Sequence, residues 1–332
     1  MKKAYIVPVL FFLASCQGGT DPVDGQKYLS TLDGPKVPTV DDTLLESAQQ
    51  AEKNGDFKQA VQLYKQVLEK QPDNKKILLS LADCTRRSGD NDEALALYDG
   101  LLKEDSGNLA AKEGKALALM AKGDFNAPGP LLEEVMKADG TRWKTLNALG
   151  ILFTTRNMQP QAQLYFQAAL KYHPGSATIT NNLGLSLALS RRYDVAITTL
   201  RTAANLAAAG SAERKRIDMN EALVYAINGD TPAAREIAQK YYSGAELDNN
   251  MGLYAHLAKD DQEARAYLNM ALSESKVFYA KAWDNLKDIS ENGSPDMPDL
   301  APAAGGVKDL STETTAPAND AYDTEGDTQK NN

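Results

Sequence analysis

The chain has 332 residues, a formal net charge of -9 and two cysteines. The charge is uneven: residues 290–332 hold nine acids against two bases, Lys2 and Lys3 add two positive charges at the start, and residues 16–289 stay near balance. No concentrated basic stretch follows a phosphate backbone, which argues against nucleic-acid binding, and two cysteines exclude a disulfide framework.

Lys2 and Lys3 precede an apolar stretch, Ala4 to Leu13, interrupted only by Tyr5 and Pro8. It is too short to cross a hydrocarbon core, which needs roughly 20 apolar residues. A basic start, a short apolar middle and a small-residue end describe an export signal. Leu13-Ala14-Ser15-Cys16 resembles the bacterial lipobox, in which the cysteine is lipidated and becomes the first residue of the mature chain. That resemblance implies that residues 1–15 are a lipoprotein signal peptide and that Cys16 carries the acyl chains. One acyl chain binds a bilayer only marginally, so two or three are needed for a lasting anchor. Gln17 is not the aspartate that commonly retains such lipoproteins at the inner membrane. The expected location is therefore the outer membrane, lipid-anchored and facing the periplasm, with residues 16–40 as a flexible tether.

From residue 41 the chain repeats. Gly55, Asp56, Ala60 and Tyr64 recur 34 residues later as Gly89, Asp90, Ala94 and Tyr98. The third copy begins at Lys122, and the same register places Ala162 and Ala196 in the slot of Ala60. A sixth copy at Asn228 is four residues late and a seventh at Lys259 four early. Apolar and small residues spaced three and four apart precede each copy, so each unit reads as two helices. Glycine tolerates the positive φ of a helix end and aspartate caps the next helix, so the Gly-Asp pairs mark the turns. Small residues at Ala60, Ala94, Ala162 and Ala196 allow close approach of paired helices. Pro128 replaces the alanine in the third copy, and its second helix is expected to start late because proline suits only a first turn.

The pattern resembles the tetratricopeptide repeat (TPR). Its small residue in the first helix falls at Ala48, Ala82, Ala116, Gly150, Gly184, Ala222 and Gly252. The large residue of the second helix falls at Tyr64, Tyr98, Leu132, Phe166, Leu200 and Leu268, and the closing proline at Pro72 and Pro174. The expected fold is all-α: a TPR superhelix of about seven helical hairpins over residues 41–289, with residues 275–289 as a C-terminal capping helix. Residues 290–332, rich in Pro, Thr, Ala, Asn and acids, are expected to be an acidic disordered tail.

No constellation for catalysis stands out, and the chain reads as non-enzymatic, without cofactor, metal site or small-molecule substrate. His173 and His256 lie in different repeats without ligand spacing and are expected at the surface. The many acids are expected on solvated helix faces. Cys84, among Leu79, Leu81 and Ala82, is expected to be a buried, inert thiol.

A solenoid of hairpins offers its first helices as a concave surface for a peptide or partner helix. The inward slots hold Asn182, Asn220 and Asn250, and the neighbouring slots Asn147, Asn181 and Asn249. An amide both donates and accepts, so such a ladder suits an extended peptide backbone; the other reading places these residues in helix surfaces or turns. Arg86 and Arg87 end one first helix, and Arg191 and Arg192 end another. Such pairs serve either to clasp an acidic partner segment or to offset a helix C-terminus.

The paired-asparagine helix starts, the unit Asn220-Glu221-Ala222-Leu223-Val224-Tyr225-Ala226-Ile227-Asn228-Gly229-Asp230 and the short link before Leu247 are similar to the C-terminal part of the TadD-type lipoproteins of Tad (Flp) pilus assembly. The acidic tail has no counterpart in that resemblance. The resemblance implies a pilotin-like or scaffolding lipoprotein in pilus biogenesis whose partner is the secretin or another Tad component. The competing reading is a periplasmic adaptor for cell-wall hydrolases or outer-membrane protein assembly.

Overall fold

A computed structural model describes residues 40–275 and 279–292. The signal peptide, Cys16, the tether and nearly all of the acidic tail lie outside these residues. Fifteen α-helices follow in order among the described residues: α1 Val40–Lys53, α2 Phe57–Lys70, α3 Lys75–Arg87, α4 Asn91–Glu104, α5 Leu109–Ala121, α6 Pro128–Ala138, α7 Trp143–Thr155, α8 Gln159–Tyr172, α9 Ala177–Leu189, α10 Tyr193–Leu206, α11 Ala212–Ile227, α12 Thr231–Ala238, α13 Gly244–Leu257, α14 Asp261–Glu274 and α15 Ala280–Asn292. They form seven hairpins, each an A helix (odd) and a B helix (even), with α15 stacked on the last.

The turns within the hairpins show why the sequence folds this way. Gly55, Gly89, Gly123 and Gly229 adopt positive φ at helix ends. Asp56, Asp90, Asp230 and Asp260 each accept a bond from the backbone N–H three residues on. That satisfies one of the four donors a helix start leaves open. Where glycine is missing, Asn157, Arg191 and Lys259 take the positive φ instead. The prolines of the third repeat have the expected effect: α6 starts only at Pro128, and the Asp124 carboxylate accepts from the Asn126 and Ala127 N–H groups ahead of it. The capping helix starts later than its sequence suggested, at Ala280, because the chain is extended at Ser275.

Between the helices the small-residue slots decide the spacing. Ala48, Ala60, Ala82, Ala94, Ala116, Ala162, Ala196, Ala222, Ala234 and Ala264 are fully buried. At Gly150 an added methyl would stand 2.5 Å from the Phe166 ring, and at Gly184 and Gly252 it would stand 2.8 and 2.7 Å from Leu200 and Leu268. Large second-helix residues therefore pack directly on first-helix backbone.

Each B helix packs on the A helix of its own hairpin and on the next A helix. From α3 onward successive A helices also pack on one another, whereas among the described residues successive B helices show no comparable packing. The A helices accordingly crowd along the inner side of the array, and the face they turn away from the B helices is the inner face.

Candidate functional site

The inner face is built from A-helix positions that share one side of a 3.6-residue helix. In the repeat register Asn147 and Asn181 fill one slot, Asn182, Asn220 and Asn250 the next, and Lys76, Lys144 and Arg216 a slot one turn earlier.

The asparagines are buried, and the structure brings most of them together as a ladder. Asn182 Nδ2 in α9 donates to Asn147 Oδ1 in α7 at 3.1 Å. Asn181 Nδ2 donates to its neighbour's Asn182 Oδ1 at 3.4 Å, and Asn220 Nδ2 in α11 reaches Asn181 Oδ1 at 2.8 Å. Three A helices are thus tied by side-chain amides, each bond worth about 1 kcal/mol net. The ladder then breaks. Asn249 Oδ1 in α13 accepts from Asn285 of the capping helix at 3.0 Å. Asn250 is fully buried, yet neither its Oδ1 nor its Nδ2 has a partner, and the Asn249 Nδ2 is also unpaired. Amides that sequence reasoning offered to a partner backbone are therefore largely engaged within the fold, and Asn250 retains its full bonding capacity.

The two arginines of α3 separate. Arg86 is buried and lies beside Tyr98, whose hydroxyl donates to Asp83. The Arg87 guanidinium lies 3.9 Å from the centre of the Phe57 ring, a cation–π contact. Burial, and then the neighbouring Arg86 charge, lower the Arg87 pKa. Lys144 in α7 joins this group: Asp83, Arg86, Glu113 and Arg87 all act on it electrostatically, and burial pushes its ammonium down.

The acids near this face are already engaged, contrary to their expected place on solvated surfaces. Glu113 is buried and takes Arg142 at 2.8 Å together with the Thr145 hydroxyl. Asp218 binds Arg214 at 2.9 Å and accepts from Tyr241, whose pKa burial and this bond push up to about 12. Asp248 binds Arg235 at 3.1 Å, and Glu221 binds Arg201 at 3.2 Å. Burial nevertheless raises the Glu221 pKa against the pull of Arg201. One sequence signal could have found Glu113: it occupies the slot of Asn147 one repeat earlier.

The two histidines are also less exposed than expected. His256 Nδ1 lies 2.7 Å from Asp261 Oδ1 across a hairpin turn, and His173 stacks on Trp143 at 4.2 Å. Both serve helix ends. Cys84 is fully buried, and burial with the Glu52 carboxylate holds its thiol far above the ordinary range, as expected of an inert thiol. Arg191 takes a left-handed turn position and Arg192 caps α10 without a side-chain bond. Among the described residues no group of three or more His, Cys, Asp or Glu is arranged to hold a metal ion, and no helix is long and apolar enough to cross a membrane.

Comparison with known proteins identifies the architecture. A tetratricopeptide repeat model matches residues 45–108, 86–127 and 160–213. No curated protein matches the sequence. A tetratricopeptide repeat protein from Parabacteroides merdae superposes with a TM-score of 0.51 at 18% identity, over 74% of this chain and 97% of that one. The Cut9-Hcn1 structure of the APC/C gives 0.58 at 16% identity, over 76% of this chain and 49% of that one. PilW, a type IV pilus biogenesis factor, gives 0.51 at 16% identity, over 61% of this chain and 93% of that one. At these identities the likeness is one of fold. The described residues have the fold of a TPR solenoid, with seven helical hairpins and a capping helix.

Proposed function

We propose that this TPR solenoid is a non-enzymatic scaffold of pilus biogenesis, held at the outer membrane through acyl chains on Cys16 and facing the periplasm. Its partner in this reading is a protein, the Tad/Flp secretin or another pilus component, engaged by the inner A-helix face. The observation that carries the binding role is the stack of hairpins itself, whose A helices crowd along one face in a tetratricopeptide pattern. Such a face suits a peptide or a partner helix.

The pilus assignment draws on the paired-asparagine helix starts and the lipobox, and the fold shared with PilW is compatible with it. A membrane anchor raises the effective concentration of a tethered groove, so modest affinity suffices for a partner in the same membrane.

Two measurements test the proposal. Cys16→Ala should move the protein from the membrane fraction to the soluble periplasmic fraction. Affinity purification after in-cell crosslinking should recover the secretin or another pilus component. Recovery of cell-wall hydrolases or outer-membrane assembly factors in its place would transfer the role to the periplasmic adaptor reading.

A further inference from the structure

We infer that the array is jointed between its sixth and seventh hairpins: α13, α14 and α15 open together as one unit ahead of the hairpins before them, because the inner amide ladder lacks the rung that would tie α13 to α11. This concerns the cohesion of the fold and holds whether or not the pilus reading does.

The first support is the rule the ladder follows. In each bonded step the second amide slot of one A helix donates to the first slot of the A helix before it. Asn182 in α9 donates to Asn147 in α7, Asn220 in α11 to Asn181 in α9, and Asn285 in α15 to Asn249 in α13. By the same rule Asn250 in α13 would donate to position 219 in α11, and that position holds Met219. A thioether is a weak acceptor where an amide oxygen is a strong one. Both polar atoms of Asn250 are unpaired, and so is the Asn249 Nδ2, although the corresponding Asn181 Nδ2 donates to Asn182. The amide bonds thus form two separate blocks, α7 to α11 and α13 to α15. Between them lies a buried amide that has lost its water without gaining a bond, so this joint is weakened where its neighbours are strengthened.

The second support is α12, the B helix that bridges the two blocks. It has eight residues, against eleven to fourteen in the other B helices. It also packs on the A helix that follows it less than any other B helix does among the described residues. The next helix, α13, begins without a side-chain cap: Ser243 makes no such bond, and Gly244 stands at a φ of 55°.

What closes the joint is an apolar cluster including Leu223, Leu247, Met251 and Tyr254, with three polar contacts. Arg235 pairs with Asp248 at 3.1 Å, the Tyr254 hydroxyl donates to the Met219 carbonyl at 3.2 Å, and Thr231 reaches Glu263 at 3.4 Å. Each links hairpin six to hairpin seven, so one opening breaks them together and breaks no amide rung.

The test is native-state hydrogen exchange on the full chain in rising urea, below the global transition. Amides of α13, α14 and α15 should converge on one opening with its own urea dependence, exchanging about tenfold or more faster than the most protected amides of α7 and α9. Asn250→Leu removes the unpaired amide for a side chain of similar shape, and should slow exchange of that unit about tenfold while leaving α7 and α9 unchanged. Asn182→Leu severs a bonded rung and should instead speed exchange in α7 and α9. Graded exchange along α13 to α15 without a common opening is ordinary fraying of a chain end and would overturn the inference. An opening shared with α7 and α9 would overturn it as well. Exchange unchanged or faster in Asn250→Leu would mean that Asn250 has a partner, such as an internal water, and would also overturn it. The unaltered protein and Asn250→Leu decide the matter even if Asn182→Leu does not fold.

Discussion

A single methyl group is the unit in which this fold is specified. Gly150 leaves no room for one, because the Phe166 ring stands where it would go. Gly150→Ala should cost about 1–3 kcal/mol through overpacking, read as a lower urea midpoint. Gly100, exposed in α4 with open space around it, provides the contrast, and Gly100→Ala should stabilise by about 0.5–1 kcal/mol. Glu221 behaves differently. Its pKa is raised in the folded protein, so its burial works against folding once the unfolded carboxyl ionises, from about pH 4.5 upward. Glu221→Gln should therefore match or exceed the parent in stability at neutral pH, with its relative advantage shrinking as pH falls below the ordinary carboxylate range. Urea titrations at both pH values decide this, and a loss confined to neutral pH would contradict it. Alanine and glycine slots were legible from spacing alone. The buried acids were not, since whether a carboxylate meets an arginine depends on the adjacent repeat.

At the scale of the helix, caps and turns account for the boundaries. Asp90 accepts from the Glu93 N–H at 3.1 Å, and Asp90→Ala should cost about 1 kcal/mol by exposing that donor. Protection of the first α4 amides in hydrogen exchange should drop with it, while those of α8 stay unchanged. The prolines of α6 were readable as a delayed start because proline lacks a donor and fits only a first turn. The late start of α15 was not, because nothing in the sequence marks the extended backbone at Ser275. The asparagine ladder sits between these cases. Its residues and their shared face followed from the register, but their mutual bonds depend on how closely successive A helices pack.

For the whole molecule, a 34-residue period made the solenoid legible without any structure, since each hairpin buries its apolar face only by stacking on the next. Partner identity is not encoded in that way. A repeat fixes which side chains line the inner face, and the sequence of a partner fixes what binds them. The central claim is that the inner A-helix face, and not the outer B-helix surface, meets a pilus protein. It is tested most directly by a photo-crosslinking amino acid placed at Lys144 on the inner face or at Leu164, 66% exposed on α8, in living cells. The account predicts adducts with the secretin or another pilus component from position 144 and none from position 164. Pilus adducts from position 164 alone, or cell-wall enzymes at position 144, would contradict it.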